Sequence, residues 1–385
     1  MGTINRRQWL KQSAAASIGM GGLSITGFNA FGAVTKERKR FDPASEAGVT
    51  RLLYNENPNG PSDATKKRIA QLIPRSNRYA TFHKYDYLAL KNLIAEQEGL
   101  EPENVMLGHG SFDPLISVAT HFGSKKEHLV VPSPSFDVVG SFARKLGADV
   151  VPVEVDSAFK IDLPAMREAI KDKTNLVTVC NPNNPTGTVV DTDELKAFCK
   201  EVSRRTPVLI DEAYIHYRDA WRQHTMAPLL KDGANVLVTR TFSKIYGMAG
   251  LRIGFMLGPK ELIKELEAKF TMGFPGNMPN GLSVAAACAA LKDKAFVSRS
   301  RELNQQARTD FYKALDQLGL PYIPSAANFV YFDVTDFAAY KKLMWSHKIL
   351  LAGGWPTKKN WARVTMGTQE ELDFLLEKMQ GKAWL

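Results

Sequence analysis

"LVTVCNPNNPTGTVVDTDELKAFCKEVSRRTPVLIDEAY", residues 176–214, contains one full cycle of an alternating pattern. Leu176–Cys180 is a short apolar run without polar alternation, as expected of a strand covered on both faces. "DTDELKAFCKEVSRR", opened by Asp191, has the spacing of an amphipathic helix. Pro207–Ile210 is the next apolar run. Strand, helix and strand in this order predict a parallel βαβ unit.

The same alternation extends in both directions. "LALKNLIAEQEGL" has helical spacing and ends at Gly99, and "FDVVGSFARKLG" is closed by Gly147. Further apolar runs stand at Val105–Leu107, His128–Val131, Val150–Val155 and Val236–Thr239. Residues 86–257 therefore read as an α/β domain with a mostly parallel sheet flanked by helices. Beyond about residue 260 the pattern changes. Helical stretches at 260–270 and 283–318 precede "NFVYFDV", a helix-like 336–346, a strand-like "ARVTMG" and a last helix, a smaller α+β domain. The expected division is an arm over 34–75 that contributes to the small domain, a large domain over 76–275 and a small domain over 276–385.

The chain has 385 residues, 44% hydrophobic and 23% charged, ordinary for a globular protein of one large or two smaller domains. Of its net charge of +10, +6 lies in the first 40 residues, so the remainder offers no basic patch for nucleic acid. Cys180, Cys199 and Cys288 lack the spacing of a metal site or a disulfide framework and read as buried thiols.

The N-terminus reads as a leader over residues 1–33. A basic start is followed by residues 12–35 without any charge, and Ala30 and Gly32 offer a small-x-small cleavage site. Arg6-Arg7-Gln8-Trp9-Leu10-Lys11 resembles the twin-arginine export signal, with Trp9 where Phe is usual. The resemblance implies use of the twin-arginine machinery and a periplasmic or exported protein. If the leader does not function, the protein stays in the cytoplasm.

Polar clusters follow several strand ends, where ligands bind in open α/β sheets. "VMLGHGSFD" leads into a helix, so the amides at Gly110, Ser111 and Phe112 suit a phosphate. In "VTVCNPNNPTG" an ordinary turn explains the Pro and Gly residues but not an inward Asn184. "VLIDEAY" ends a strand on Asp211, which either a surface salt bridge or a cationic ligand nitrogen would satisfy. "TRTFSKIYGMAGLRIGF", residues 239–255, adds Ser243, Lys244 and Arg252. A phosphate needs amides, a hydroxyl and an arginine; a protonated ring nitrogen needs a carboxylate; an aldehyde needs a lysine that can lose its proton. These parts together fit pyridoxal phosphate.

"NPNNPTG", "DEAY" and "SKxxGxAGLRxG", in this order, resemble the class I/II aminotransferases of pyridoxal-phosphate fold type I. "NENPNGPS" and "RVTMGT" bring the resemblance closest to the histidinol-phosphate aminotransferase group, over roughly residues 50–380. It implies a transaminase that moves an amino group from an L-amino acid, or a histidinol-phosphate-like amine, to a 2-oxo acid. Lys244 is then the Schiff-base lysine and proton carrier, Asp211 the partner of the ring nitrogen, and Asn184 and Tyr214 the partners of the ring hydroxyl. Phe136 stacks on the ring, while Gly110, Ser111, Phe112, Ser243 and Arg252 hold the phosphate. Tyr79 matches a tyrosine that reaches the neighbouring subunit's phosphate, which implies a homodimer. Arg363 matches the arginine that grips the substrate carboxylate, with Asn328 and Asn57 on the substrate side. Decarboxylases and amino-acid oxidases or cyclases share the fold and stand as the alternative.

Two departures bear on the substrate. His109 and Phe112 stand in "GHGSFD" where the family commonly reads "GNGSDE". Ala352 stands where histidinol-phosphate aminotransferases often carry an arginine for the substrate's phosphate, with Trp355 near the same strand end. Both Ala352 and an exported location count against histidinol phosphate and favour an apolar, aromatic or basic side chain.

Overall fold

A computed structural model of the chain describes residues 48–78, 84–271, 278–382 and 384. The leader-like residues 1–33 and Tyr79 lie outside the described residues.

In chain order the first sheet is built from β2 (Val105–Gly108), β3 (His128–Ser133), β4 (Asp149–Glu154), β5 (Thr174–Cys180), β6 (Val208–Asp211), β7 (Val236–Thr241) and β8 (Gly254–Leu257). Its strand order is β2-β8-β7-β6-β5-β3-β4. β8 is antiparallel to both neighbours and every other pairing is parallel. The second sheet has the order β1-β11-β12-β10-β9, where β1 is Thr50–Leu52, β9 Tyr322–Ile323, β10 Phe329–Asp333, β11 Ile349–Trp355 and β12 Lys358–Thr365. β1 joins β11 in parallel, and the other pairs are antiparallel.

The helices are α1 (Asp63–Leu72), α2 (Lys84–Glu98), α3 (Phe112–Gly123), α4 (Val138–Lys145), α5 (Leu163–Ala169), α6 (Thr192–Val202), α7 (Lys260–Thr271), α8 (Gly281–Lys292), α9 (Lys294–Leu318), α10 (Phe337–Ser346) and α11 (Gln369–Met379). In α6 the side chain of Asp191 accepts from the amides of Asp193 and Glu194, and Leu195, Phe198, Cys199 and Val202 form the buried stripe. The helical stretch 283–318 is two helices, because Asp293 ends α8 and caps α9 by accepting from the Phe296 amide at 3.0 Å.

Two cores cover the first sheet, one on each face. One joins Val177, Val179, Val208, Ile210, Val236 and Val238 to Phe198 and to Val284 and Ala287 of α8. The other packs Leu129, Leu176, Leu209, Leu237 and Met256 against α3 and α4. Burial on both faces explains why these strands carry no polar alternation. A third core belongs to the second sheet, with Leu52, Val330, Phe332, Val364, Tyr340 and Leu375. α8 follows residue 276 in the chain yet packs with the first sheet, because its Ala-rich surface fits closely against α1 and α2.

Candidate active site

The parallel strands place their carboxyl ends along one edge of the first sheet. Gly108, Ser133, Cys180, Asp211 and Thr241 are the last residues of β2, β3, β5, β6 and β7. The segments that follow carry His109–Phe112, Phe136, Asn184, Tyr214 and Ser243–Lys244, so positions far apart in sequence converge at this edge.

Asp211 is 7% exposed, and its Oδ1 accepts from Thr239 Oγ1 at 3.0 Å and from the Ala213 amide at 3.2 Å. Burial pushes its carboxyl up to about 6, partly offset by those two bonds. It makes no salt bridge among the described residues, which leaves the site deficient in positive charge at this carboxylate. A recess beside it is lined by Ser135, Phe136, Cys180 and Asp211.

Lys244 lies in the loop after β7, partly buried, and its Nζ donates to the Tyr54 carbonyl at 2.7 Å. Withdrawal from water brings its ammonium down to about 7, helped by the positive charges of Arg363 and Arg252 and opposed by Glu56 and Asp211. An amine near its neutral form at physiological pH is a nucleophile and a proton acceptor.

The phosphate-like cradle lies at the N-terminus of α3. Gly110 has φ +76°, and a Cβ there would stand 2.6 Å from Arg252 Nη2. Arg252 spans the cradle: Nη1 donates to Ala249 O at 2.8 Å and to Ser243 Oγ at 3.4 Å, and Nη2 to His109 O at 3.4 Å. Arg252 therefore links Ser243 to the His109–Gly110 turn that leads into α3. Amides at a helix start, a hydroxyl and a guanidinium form an anion seat. His109 is held by Asp113, whose Oδ2 meets its Nδ1 at 2.6 Å and its amide at 2.9 Å.

On the opposite side, β12 brings Arg363 to Asn184, whose Oδ1 accepts from Arg363 Nη1. Arg363 is 2% exposed, its Nη2 donates to Leu53 O at 2.6 Å, and its Nε has no partner among the described residues. Tyr214 Oη accepts from Asn55 Nδ2 at 2.9 Å, and its ring meets Phe329 edge-on at 5.1 Å. Burial raises the Tyr214 phenol above its usual value, so it stays protonated and able to donate.

The expected substrate-side asparagines are arranged differently from one another. Asn328 donates to the carbonyls of Asn55 and Glu56 at 3.0 and 3.2 Å, and its Oδ1 is buried without a partner. Asn57 does not present a free amide. Its Nδ2 donates to Ile245 O at 2.8 Å and Ser300 Oγ at 3.2 Å, and its Oδ1 accepts from Asn59. Its position in a tight turn makes it a brace of the Lys244 loop. Asn55, two residues earlier, is the residue that reaches Tyr214, and sequence reasoning passed over it. The signal was present in the same "NENPNGPS" motif, but nothing in the letters says which asparagine of the motif faces inward.

The buried carboxylate without a cation, the near-neutral lysine and the anion seat fit a cofactor with a cationic ring nitrogen, an aldehyde and a phosphate. Comparisons with known proteins agree. The family model described as aminotransferase class I and II matches residues 47–379. The chain is 36% identical over 326 residues to a histidinol-phosphate aminotransferase of Moorella thermoacetica, covering 84% of this chain and 82% of that protein. It is 35% identical over 343 residues to one of Brevibacillus brevis, covering 87% and 91%. Among solved structures, it is similar to a putative histidinol-phosphate aminotransferase of Erwinia carotovora atroseptica, with TM-score 0.81, 29% identity and coverage of 88% and 97%. A histidinol-phosphate aminotransferase of Sinorhizobium meliloti, in complex with pyridoxal-5'-phosphate, superposes with TM-score 0.78 at 25% identity, covering 92% and 97%. Strand-end geometry and likeness converge: the chain belongs to the class I and II aminotransferases, enzymes that depend on pyridoxal phosphate.

Proposed function

We propose that the protein moves the amino group of an L-amino acid to a 2-oxo acid, with Arg363 holding the carboxylate that donor and acceptor share. The observation that carries this reading is the buried Arg363 guanidinium, braced by Asn184 and Leu53 with its Nε left without an acceptor. A guanidinium fork suits a planar two-oxygen group. Across the sheet, Ala352 and Tyr331 are the neighbours of Arg363 on β11 and β12's other partner, β10. Trp355 lies 5.5 Å from the guanidinium and meets the Tyr331 ring, which also contacts Trp361. A small residue beside an aromatic wall favours a donor with an apolar or aromatic side chain.

Bound pyridoxal phosphate supplies an electron sink for the bonds at the substrate's Cα. In this reading Lys244 would hold it through its amine and, with that amine free, would carry the proton at the substrate's Cα. Asp211 would keep the ring nitrogen protonated, Asn184 and Tyr214 would hydrogen-bond the ring oxygen, and Phe136 would cover the ring. Gly110, Ser111, Phe112, Ser243 and Arg252 hold the phosphate.

A second reading, histidinol phosphate as donor, is favoured by the names of the relatives. Initial rates with 2-oxoglutarate and a panel of L-phenylalanine, L-leucine, L-lysine and histidinol phosphate separate the two. The first reading expects kcat/KM for an apolar or aromatic amino acid to exceed that for histidinol phosphate; the reverse order establishes the second. A homodimer completed by Tyr79 and export directed by residues 1–33 rest on sequence alone. A monomer by light scattering, or a reporter fused to residues 1–33 that stays in the cytoplasm, would remove them.

A further inference from the structure

Behind the active site the structure has a second recess of about 320 Å³. Its walls carry Arg222, Lys294 and Arg301 together with Trp221, His216 and Tyr246, and no Asp or Glu lines it. Lys294 and Arg301 lie seven residues apart on the first two turns of α9, on one helix face, with the Ser298 hydroxyl between them.

None of these cations is neutralised among the described residues. Arg222 is exposed and lies over the Trp221 ring at 4.4 Å, without a salt bridge. Arg301 uses its Nε on His216 O at 3.0 Å, which leaves both terminal nitrogens of its fork to the recess. Lys294 is exposed. Two acids close to these residues in the fold are committed elsewhere. Glu98 takes Arg240 on both oxygens, at 2.7 and 3.3 Å, and Asp293 caps α9. His216 is 4% exposed, lines the recess and has an Nδ1 with no partner. Burial and the positive charges of Arg240, Arg222 and Arg301 hold its imidazole well below its usual pKa.

Scattered surface cations are ordinary. A concave wall of one sign, next to a low-dielectric aromatic floor, concentrates the field and attracts counter-ions. Two guanidinium forks, an ammonium and a hydroxyl are donors that oxyanions use. We propose that this recess is a second, non-catalytic site for a small multiply charged oxyanion, a phosphate compound or a polycarboxylate, held by Arg222, Lys294 and Arg301. An occupant would lie against the backs of two active-site segments. His216 is two residues beyond Tyr214 and Tyr246 two beyond Lys244, and their rings meet at 5.4 Å. Tyr246 also packs on Phe242 at 5.0 Å.

The test is calorimetric titration of the holoenzyme, whose cofactor phosphate seat is filled, with inorganic pyrophosphate and separately with citrate at matched ionic strength. The expected result is saturable binding of at least one probe, weakened about tenfold or more, or about 1.4 kcal/mol, in the double variant R222Q/K294Q. The tighter probe tells whether phosphate or carboxylate chemistry is preferred. Absence of saturable binding by either probe up to about 1 mM overturns the proposal. So does unchanged affinity in the double variant, the result expected if the probe enters the Arg363 pocket instead. If the double variant does not fold, R222Q alone, which removes an exposed side chain without a hydrogen bond, is read in the same way. Binding is measured without turnover, so failure here is independent of the donor assigned above.

Discussion

Lys244 Nζ donates a 2.7 Å hydrogen bond to the carbonyl of Tyr54, 190 residues earlier, so the loop after β7 is tied to the segment that follows β1 of the other sheet. The bond holds an amine that burial and the charges of Arg363 and Arg252 bring down to about 7. Lys244→Ala is expected to lower kcat by roughly 10³-fold, the scale of a lost acid–base group. Rapid-mixing kinetics with the best donor check this. The apo protein should also gain stability as pH rises from about 7 to about 10.5. In that window the unfolded chain binds a proton on Lys244 that the folded chain has released. Urea midpoints across this range should rise for the wild type and less so for the variant.

Asp211 carries the opposite sign. Its folded carboxyl is pushed up from 3.8 to about 6, so between these values the folded apo protein binds a proton that the unfolded chain has lost. Stability of the apo protein should therefore fall as pH rises through that window, by about 3 kcal/mol in all. Asp211→Asn should flatten the profile in urea melts of the apo protein. In the holoenzyme, on the role proposed for Asp211, the same change should lower kcat by roughly 10²-fold or more.

Much of this arrangement was legible before any coordinates. The central strands β5, β6 and β7 could be recognised because burial on both faces removes the period-2 signal and leaves apolar runs. Asp211 and Lys244 stood out because each places a charge where an apolar strand has just ended. What could not be read is equally physical. β8 is the reversed strand of the large sheet, and Gly254–Leu257 is too short to declare its direction. Arg240 follows the apolar run Val236–Thr239, and the strand continues through it to Thr241. Period-2 alternation sends its side chain to the face opposite Thr239 and Thr241, where Glu98 and Glu212 meet it. Those carboxylates are 142 and 28 residues away in the chain, a distance that no local pattern encodes.

That pairing carries its own prediction. Arg240 is 1% exposed and also donates to Thr225 Oγ1 at 2.6 Å, while Glu212 accepts from the Met226 amide at 2.8 Å. Arg240→Met leaves two buried carboxylates without their cation, and the expected destabilisation is about 3–5 kcal/mol. Chemical denaturation measures it. A loss under 1 kcal/mol, by the scale of exposed pairs, would mean that the carboxylates take up protons at little cost.

Asn55 is 1% exposed; besides accepting from Asn328 at its carbonyl, it donates Nδ2 to Tyr214 Oη and its backbone amide to Thr365 Oγ1 at 2.9 Å, and its Oδ1 accepts from Thr365 Oγ1 at 3.3 Å. Asn55→Ala strips the phenol and the threonine of a partner each, at a cost of about 1–3 kcal/mol. With Tyr214 no longer anchored at its oxygen, cofactor affinity should weaken about tenfold, read by absorbance titration of the apo variant. Asn57→Ala should instead lower stability through the Lys244 loop with a smaller effect on cofactor affinity. An equal loss in both variants would show that the motif acts as one brace.

At the anion seat the chain passes itself backbone to backbone. A Cβ on Gly254 would stand 2.5 Å from both Gly110 C and Ser111 N, and 2.9 Å from Arg240 O, none of which is the movable end of a side chain. β8 therefore lets the turn at Gly110 and Ser111 settle on it only because residue 254 has no side chain. Gly254→Ala must push that turn outward, away from Arg252 and Ser243, and cofactor affinity should fall by about tenfold or more. Gly250 is the control, since a Cβ there meets nothing within 4 Å. Gly250→Ala should bind the cofactor as the wild type does, although it lies just two residues from Arg252 in the chain. Equilibrium dialysis of both apo variants against pyridoxal phosphate compares them directly. Equal affinities would show that the turn moves freely over β8 and that contact with the strand does not set the position of the anion seat.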